Sequence, residues 1–327
     1  MFNTADAIPR ADISTLLMEA VGQENQYVGQ YVFPIYPSTV ENGRYPKFKK
    51  DGGRLLDAAG GSQANGFTKR NDAGTYNETE RKFEWDSFQT EEYGLEERVD
   101  DTVARRMENY FDAEMITGKM VMNELMLDYE IECAAQLLNT SNVESNSFCG
   151  TVWSSVTTSD CPADINAAIE TMTLRGEAPT DMVLSLKLWN FMRRSTKLQT
   201  YLFGTLNTNV GGSMMTTEAV AQAFGLTNVW IARKSYAARK RGVSTLSLTP
   251  VWGETYVALG KFGEGDFMNG GFGRTIIWDA DSPGGLFTSE SYRAEARRGN
   301  ILRVRSNRIL KRISPAAAHL INVNATS

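Results

Sequence analysis

The stretch DGGRLLDAAGGSQANGFTKRNDAGTY, residues 51–76, holds few large apolar groups: Leu55, Leu56, Phe67 and Tyr76. Fixing each backbone residue costs roughly 1–2 kcal/mol. Burying four such side chains returns about 1.5–3 kcal/mol apiece, so the segment cannot order by its own contacts. Either it is a disordered loop or something outside its own domain covers it. The residues around it define its ends. On its C-terminal side Phe83 and Trp85 alternate with Lys82, Glu84 and Asp86, a strand pattern, and its own Gly, Asn and Asp residues suit turns. The whole of 41–95 therefore reads as a long hairpin with a polar tip.

On its N-terminal side, residues 1–40 pair a short amphipathic stretch (Ile13, Leu16, Leu17, Ala20) with YVFPIYPSTV, whose two prolines exclude helix, and read as an extended arm. Downstream, no proline occurs between Pro46 and Pro162. From about Arg98 to Leu138 apolar residues recur at three- and four-residue spacing: Val99, Val103, Met107, Tyr110, Phe111, Met115, Met122, Leu125 and Tyr129. This predicts one helix of about 40 residues and roughly 60 Å, with Asp100 and Asp101 suited to its positive end and Gly118 a candidate bend. After a Ser/Thr/Asn-rich connection over 140–161, a second lobe alternates helix and strand: a helix from Pro162 to Arg175 stopped by Gly176, strand MVLS, helix LKLWNFMRR, helix TTEAVAQAF stopped by Gly225, then strands NVWIAR and ETYVALG. GRTIIW, a DSPGG turn and the strand-like ILRVRSNRIL close the chain. Such alternation argues for a sheet covered by helices.

Composition limits the function. The 327 residues are 42% hydrophobic and 22% charged with net charge −5, an ordinary globular balance and a poor one for a protein whose main work is gripping nucleic acid. Three cysteines, Cys133, Cys149 and Cys161, contain no CxxC, so neither a disulfide framework nor a zinc site is indicated. Neither a membrane-length apolar run nor a signal-peptide pattern is present, which predicts synthesis in the cytosol.

Candidate chemistry is sparse. His319 is the single histidine, so any Ser-His or Cys-His system would need it, and no nucleophile neighbours it in sequence. The carboxylate doublets Glu91/Glu92, Glu96/Glu97 and Asp100/Asp101 read as solvated acidic surface. GEGDFMNGGFGR matches no phosphate-loop spacing. In DADSPGGLFTSE, residues 279–290, Asp279, Asp281, Gly284 and Glu290 stand at positions 1, 3, 6 and 12 of a calcium loop. Pro283 replaces a ligand, though, and a strand pattern precedes it, so a plain turn is expected and no cofactor or metal is assigned. Charge is uneven: 78–114 carries 13 acidic and 5 basic residues, 293–312 has 8 basic and 1 acidic. Arg297, Arg298, Arg303, Arg305, Arg308, Lys311 and Arg312 could meet nucleic-acid phosphates. The near balance favours the acidic segment of the same or a neighbouring chain.

An extended arm, a long hairpin, a long helix, a mixed lobe and a closing Arg-rich strand pair, in that order, resemble the major capsid proteins of tailed bacteriophages, the Hong Kong 97-type or Johnson fold. The resemblance spans nearly the whole chain. It is carried by APTDMVLSLKLWNFMRR (178–194), FGLTNVWIARKSY (224–236) with GETYVALGKFG, and ESYRAEARRGNILRVRSNRIL (290–310). It implies an α+β fold: an N-terminal arm over 1–40, an extended loop over 41–97, a peripheral domain of 98–148 with 285–313, and an axial domain of 149–284 with 314–327. It further implies hexamers and pentamers that close an icosahedral shell around packaged DNA, touched non-specifically, in a virion assembled in the host cytoplasm. The hairpin then lies across an adjacent subunit, with Arg54, Leu55, Leu56, Phe67, Lys69, Arg297, Arg298, Arg303 and Arg305 as intersubunit contacts. The short arm suggests a separate scaffolding protein, and portal and decoration proteins are the further expected partners. Some relatives cross-link a loop lysine; Lys69 stands at a comparable place, but most of the family lacks this chemistry. The alternatives are an encapsulin-like compartment of the same fold and a metal-dependent enzyme centred on Asp279, Asp281 and Glu290.

Overall fold

The computed structural model describes residues 8–9, 27–47, 84–107, 112–204, 215–237, 248–263, 270–282 and 285–326. In chain order the elements begin with β1 (Ile8–Pro9), α1 (Gly29–Val32), β2 (Ile35–Ser38), β3 (Asn42–Lys47), β4 (Glu84–Gln89), β5 (Glu91–Asp100), α2 (Asp101–Met107) and α3 (Ala113–Leu137). They continue with β6 (Ser145–Cys149), α4 (Cys161–Leu174), β7 (Asp181–Ser185), α5 (Leu186–Arg194), α6 (Thr196–Phe203), α7 (Thr217–Phe224) and β8 (Asn228–Ala232). The last are β9 (Ser235–Ala237), β10 (Leu248–Pro250), β11 (Tyr256–Gly260), β12 (Gly273–Trp278), β13 (Thr288–Ala294), β14 (Gly299–Arg312) and β15 (Ala318–Thr326).

Two sheets organise the chain. The five-stranded one runs β6-β15-β11-β7-β8 and is covered on both faces, because alternate side chains of a strand point opposite ways. Val183, Ala258 and Leu320 join one apolar cluster. Their neighbours Met182, Leu184, Val257, Leu259 and Ile321 join another, built with the lobe's helices. Burial on both faces is why MVLS reads as an unbroken apolar run. The local signals also hold: Asp160 caps α4 through the Ala163 N–H at 3.3 Å, Thr216 caps α7, and Gly225 ends α7 in the left-handed conformation. The periodicity did not reveal α6, a short helix that follows α5 directly.

The six-stranded sheet is centred on β14, which pairs antiparallel with β5, β13 and β12. The even-numbered residues of β14 face α3: Val304 and Leu310 join its apolar cluster, and the Asn300 amide donates to Glu114 at 2.5 Å. Helix α3 contributes Val121, Met122, Leu125, Met126, Tyr129, Cys133, Ala134 and Leu137, its i, i+3, i+4 stripe.

Three expectations change. The helix predicted from Arg98 is not one rod. Residues 98–100 belong to β5, paired to β14, and α3 starts afresh at Asp112, whose backbone is extended and whose carboxylate accepts the Glu114 and Met115 N–H groups at 2.9 and 3.2 Å. A capped start requires that break, whereas Gly118, the expected bend, lies inside the helix. Within the arm, residues 29–32 make one helical turn and 35–38 a strand parallel to β12; Pro37 is accommodated because β2 is an edge strand. Sheet membership also shifts the strand-level boundaries: β6, from Ser145, belongs to the five-stranded sheet and β12 to the six-stranded one. The hairpin expectation is met at its base, where β3 and β4 pair antiparallel from Asn42↔Gln89 to Lys47↔Glu84. Its tip, 48–83, lies outside the described residues.

Candidate assembly surface

The ribbon β3–β4 is a two-stranded sheet of its own. One face seats it: Tyr45 and Phe88 pack with Ile276 and Ile313, and the Tyr45 hydroxyl donates to Asp86 at 3.0 Å. Lys47 at 2.6 Å holds the Asp86 carboxyl down at about 2. The opposite face carries Trp85, 64% exposed, directly across from Pro46. Tryptophan is among the residues most enriched at interface anchors. Sequence alternation had placed Trp85 on a strand without marking it as a contact. The contacts expected further along, Arg54, Leu55, Leu56, Phe67 and Lys69, lie outside the described residues.

The arginines divide into two groups. Arg303 lies opposite Glu96 on β5 and Glu290 on β13, with ion pairs of 3.4 and 3.7 Å and the Tyr292 ring beneath it. Arg305 binds Glu290 at 2.8 Å and also Asp281. The charge offered to the same or a neighbouring chain is thus met, at these two positions, inside one chain. Arg297 and Arg298 instead sit exposed at the turn between β13 and β14, where Arg298 adopts φ 48°. The turn is tied down by its carbonyls: Arg297 accepts from the Arg98 guanidinium at 2.7 Å and Arg298 from the Asp101 N–H at 3.2 Å. Arg293 grips Asp101 with two bonds of 2.6 and 2.7 Å, which holds that carboxyl below its usual range.

The calcium-loop spacing has a different meaning here. Strands β12 and β13 flank the turn, Asp281 and Glu290 answer Arg305, and the Asp279 N–H donates to the Ser38 carbonyl at 2.8 Å. Among the described residues no three acidic, histidine or cysteine side chains are grouped to hold a metal, and no helix is long and apolar enough to cross a membrane.

Three buried polar groups link segments far apart in sequence. Glu130 on α3 is fully buried. Its Oε1 accepts the Val28 N–H at 2.7 Å and the Trp252 indole N–H at 2.5 Å, and its Oε2 accepts the Gly29 N–H at 2.7 Å. Burial pushes this carboxyl above its usual range against the pull of those donors. A Cβ on Gly29 would lie 2.7 Å from Oε2, so only glycine lets the backbone approach. Arg308, also fully buried, lies between the rings of Tyr93 and Tyr129, 4.2 and 5.1 Å from their centroids. Glu132 and Asp128 stand at 3.4 and 3.8 Å.

His319 on β15 is held by two hydroxyls of β6, Ser145 Oγ at 2.6 Å from Nδ1 and Ser147 Oγ at 2.9 Å from Nε2. Sequence reading supplied it no nucleophile, yet two hydroxyls touch it. Neither of these partners is a carboxylate that would orient the ring as a base. Burial, with a smaller contribution from Arg175, pulls its pKa down to about 4 from 6.5. An imidazole depressed in the fold contributes stability above the unfolded value and loses it as pH falls from about 6.5 to 4. The loss amounts to about 3 kcal/mol at 1.36 kcal/mol per unit. Denaturant titrations at pH 7 and pH 4 should show that His319→Gln diminishes the acid-induced fall by that amount; an identical fall in both proteins contradicts the assignment.

No protein-family model and no curated protein matches the sequence. Solved structures do. A phage-related protein from Bordetella bronchiseptica is 18% identical, with 97% of this chain and 98% of that one covered at a TM-score of 0.67. The capsid of cyanophage P-SCSP1u is 11% identical, with 92% and 89% covered at 0.57. The putative capsid protein of a prophage of E. coli CFT073 is 10% identical, with 97% and 99% covered at 0.53. The chain has the α+β fold of phage capsid proteins, the fold its order of elements resembles.

Proposed function

We propose that this chain is a tailed-bacteriophage major capsid protein of the Hong Kong 97 type, a structural protein without an active site. It assembles into hexamers and pentamers that close an icosahedral shell around double-stranded DNA. The observation that carries this reading is the ribbon: its base is anchored by Tyr45 and Phe88, while Trp85 is held in solvent. A projecting two-stranded ribbon is marginal alone. A sister subunit under the ribbon supplies the missing burial. In that assembly Arg54, Leu55, Leu56, Phe67 and Lys69 follow Trp85 onto the neighbour, and Arg297 and Arg298 contact it from the exposed turn. Arg303 and Arg305, already paired, shape the wall rather than bind across it. Its further partners are a separate scaffolding protein during assembly, a portal and a decoration protein, and the virion forms in the host cytoplasm and touches its DNA non-specifically.

Electron microscopy of the purified chain tests this, with rings or closed particles expected. Deleting residues 54–74, or making Trp85→Ala, should leave a folded subunit, the substitution with stability within about 0.5 kcal/mol as for other surface changes, and both should greatly reduce shell formation. Shells of normal yield from both variants would refute the role of the ribbon. Particles that copurify with an enzyme cargo and no DNA would move the reading to an encapsulin-like compartment.

A further inference from the structure

Among the described residues, strand β5 has one unused edge. Over its ten residues, Glu91–Asp100, it pairs with β14 alone, so among the described residues its other edge presents backbone donors and acceptors to solvent. Such an edge is a template for another strand. Its side chains specify which strand. Glu91, Glu92, Glu96 and Glu97 are all exposed. Glu92 and Glu96 share the face of Arg303, while Glu91 and Glu97 point to the α3 side, as the registers Glu96↔Arg303 and Glu91↔Arg308 require. Strand β14 places Arg303 opposite Glu96, with which it pairs, and Arg308 opposite Glu91, though Arg308 pairs instead with Asp128 and Glu132. Glu92 and Glu97 lie opposite Asn307 and Leu302 and have no ion-pair partner among the described residues.

We propose that the free edge of β5 accepts an extended strand of another polypeptide, with basic residues in two adjacent pairs separated by three residues. Adjacent residues alternate faces, so only this spacing puts one cation beside each of the four carboxylates. A second copy's β5 does not fit, because its own carboxylates would face these, and like charges directly opposite repel. The acidic edge thereby also guards the free subunit against indiscriminate pairing. The inference rests on β5 alone and does not depend on the chain building a shell.

The test uses the full-length unassembled chain and two peptides of equal composition and charge, Lys-Lys-Val-Thr-Val-Lys-Lys and Lys-Val-Lys-Thr-Lys-Val-Lys. The first should bind more tightly and protect amides of 91–100 from hydrogen exchange; the second places every lysine on one face and should do neither. Replacing Glu92→Gln with Glu97→Gln should weaken the first peptide roughly 2- to 30-fold, the span of two exposed ion pairs, and leave unfolding unchanged. Equal binding of the two peptides, absence of protection over 91–100, or unaltered affinity in the double variant would each overturn the proposal.

Discussion

Glu130→Ala should lower the unfolding free energy by at least about 3 kcal/mol, because it leaves the Val28, Gly29 and Trp252 N–H groups buried without an acceptor, at about 1–3 kcal/mol for each unsatisfied group. The oxygens that now receive them stand at 2.5–2.7 Å. Glu130→Gln keeps Oε1 as an acceptor but turns an amide against the Gly29 N–H, so its cost should fall between. Denaturant titration measures the loss, and hydrogen exchange at Val28 and Gly29 locates it. Should Glu130→Ala match the parent within about 0.5 kcal/mol, the carboxylate would not be what pins residues 27–33 to α3.

The second large effect belongs to Arg308. Among the described residues its Nε and Nη1 have no hydrogen-bond partner, so its place depends on two ring faces and two carboxylates. Arg308→Ala removes the filling between Tyr93 and Tyr129 and should cost about 3–5 kcal/mol, as large-to-small changes in cores do. Arg308→Met keeps most of the volume. Because the side chains of Glu132 and Asp128 are 30% and 65% exposed, they can turn to water when the cation is gone. The methionine variant should therefore unfold within about 1.5 kcal/mol of the parent, as volume-conserving swaps do. Equal losses in the two variants would show that charge, rather than volume, holds the site.

What the sequence disclosed follows from the range of the forces involved. LKLWNFMRR became α5 and DMVLS became β7 because periodicity and burial act over a few residues. The ILRVRSNRIL strand was legible for the same reason; of the affinity for the acidic segment that its charge suggested, Arg303 realises a part through Glu96, whereas Arg305 and Arg308 find their carboxylates outside that segment, at Asp281, Glu290, Asp128 and Glu132. Asp112 hid inside an apolar series whose spacing it does not disturb; only its extended backbone reveals the cap. Ile35–Ser38 was obscured by prolines that an edge strand tolerates. The polar links were out of reach: Glu130 finds its donors 101, 102 and 122 residues away, and His319 its serines 172 and 174 away. No local pattern encodes such partners. Asp281 and Glu290 illustrate the reverse, a linear spacing whose spatial meaning is an arginine clasp.

The position of β14 and β15 in the two sheets governs when the molecule can fold. Both begin at or after Gly299, yet one is the centre of the six-stranded sheet and the other joins β6 to β11 in the five-stranded one. A nascent chain on the ribosome therefore carries the apolar stripe of α3 without its β14 cover until synthesis has passed Gly299, and contacts of such sequence separation form slowly. Translation products ending before Gly299 should be aggregation-prone and dependent on chaperones, because neither sheet can close without the strands that begin at Gly299 and Ala318.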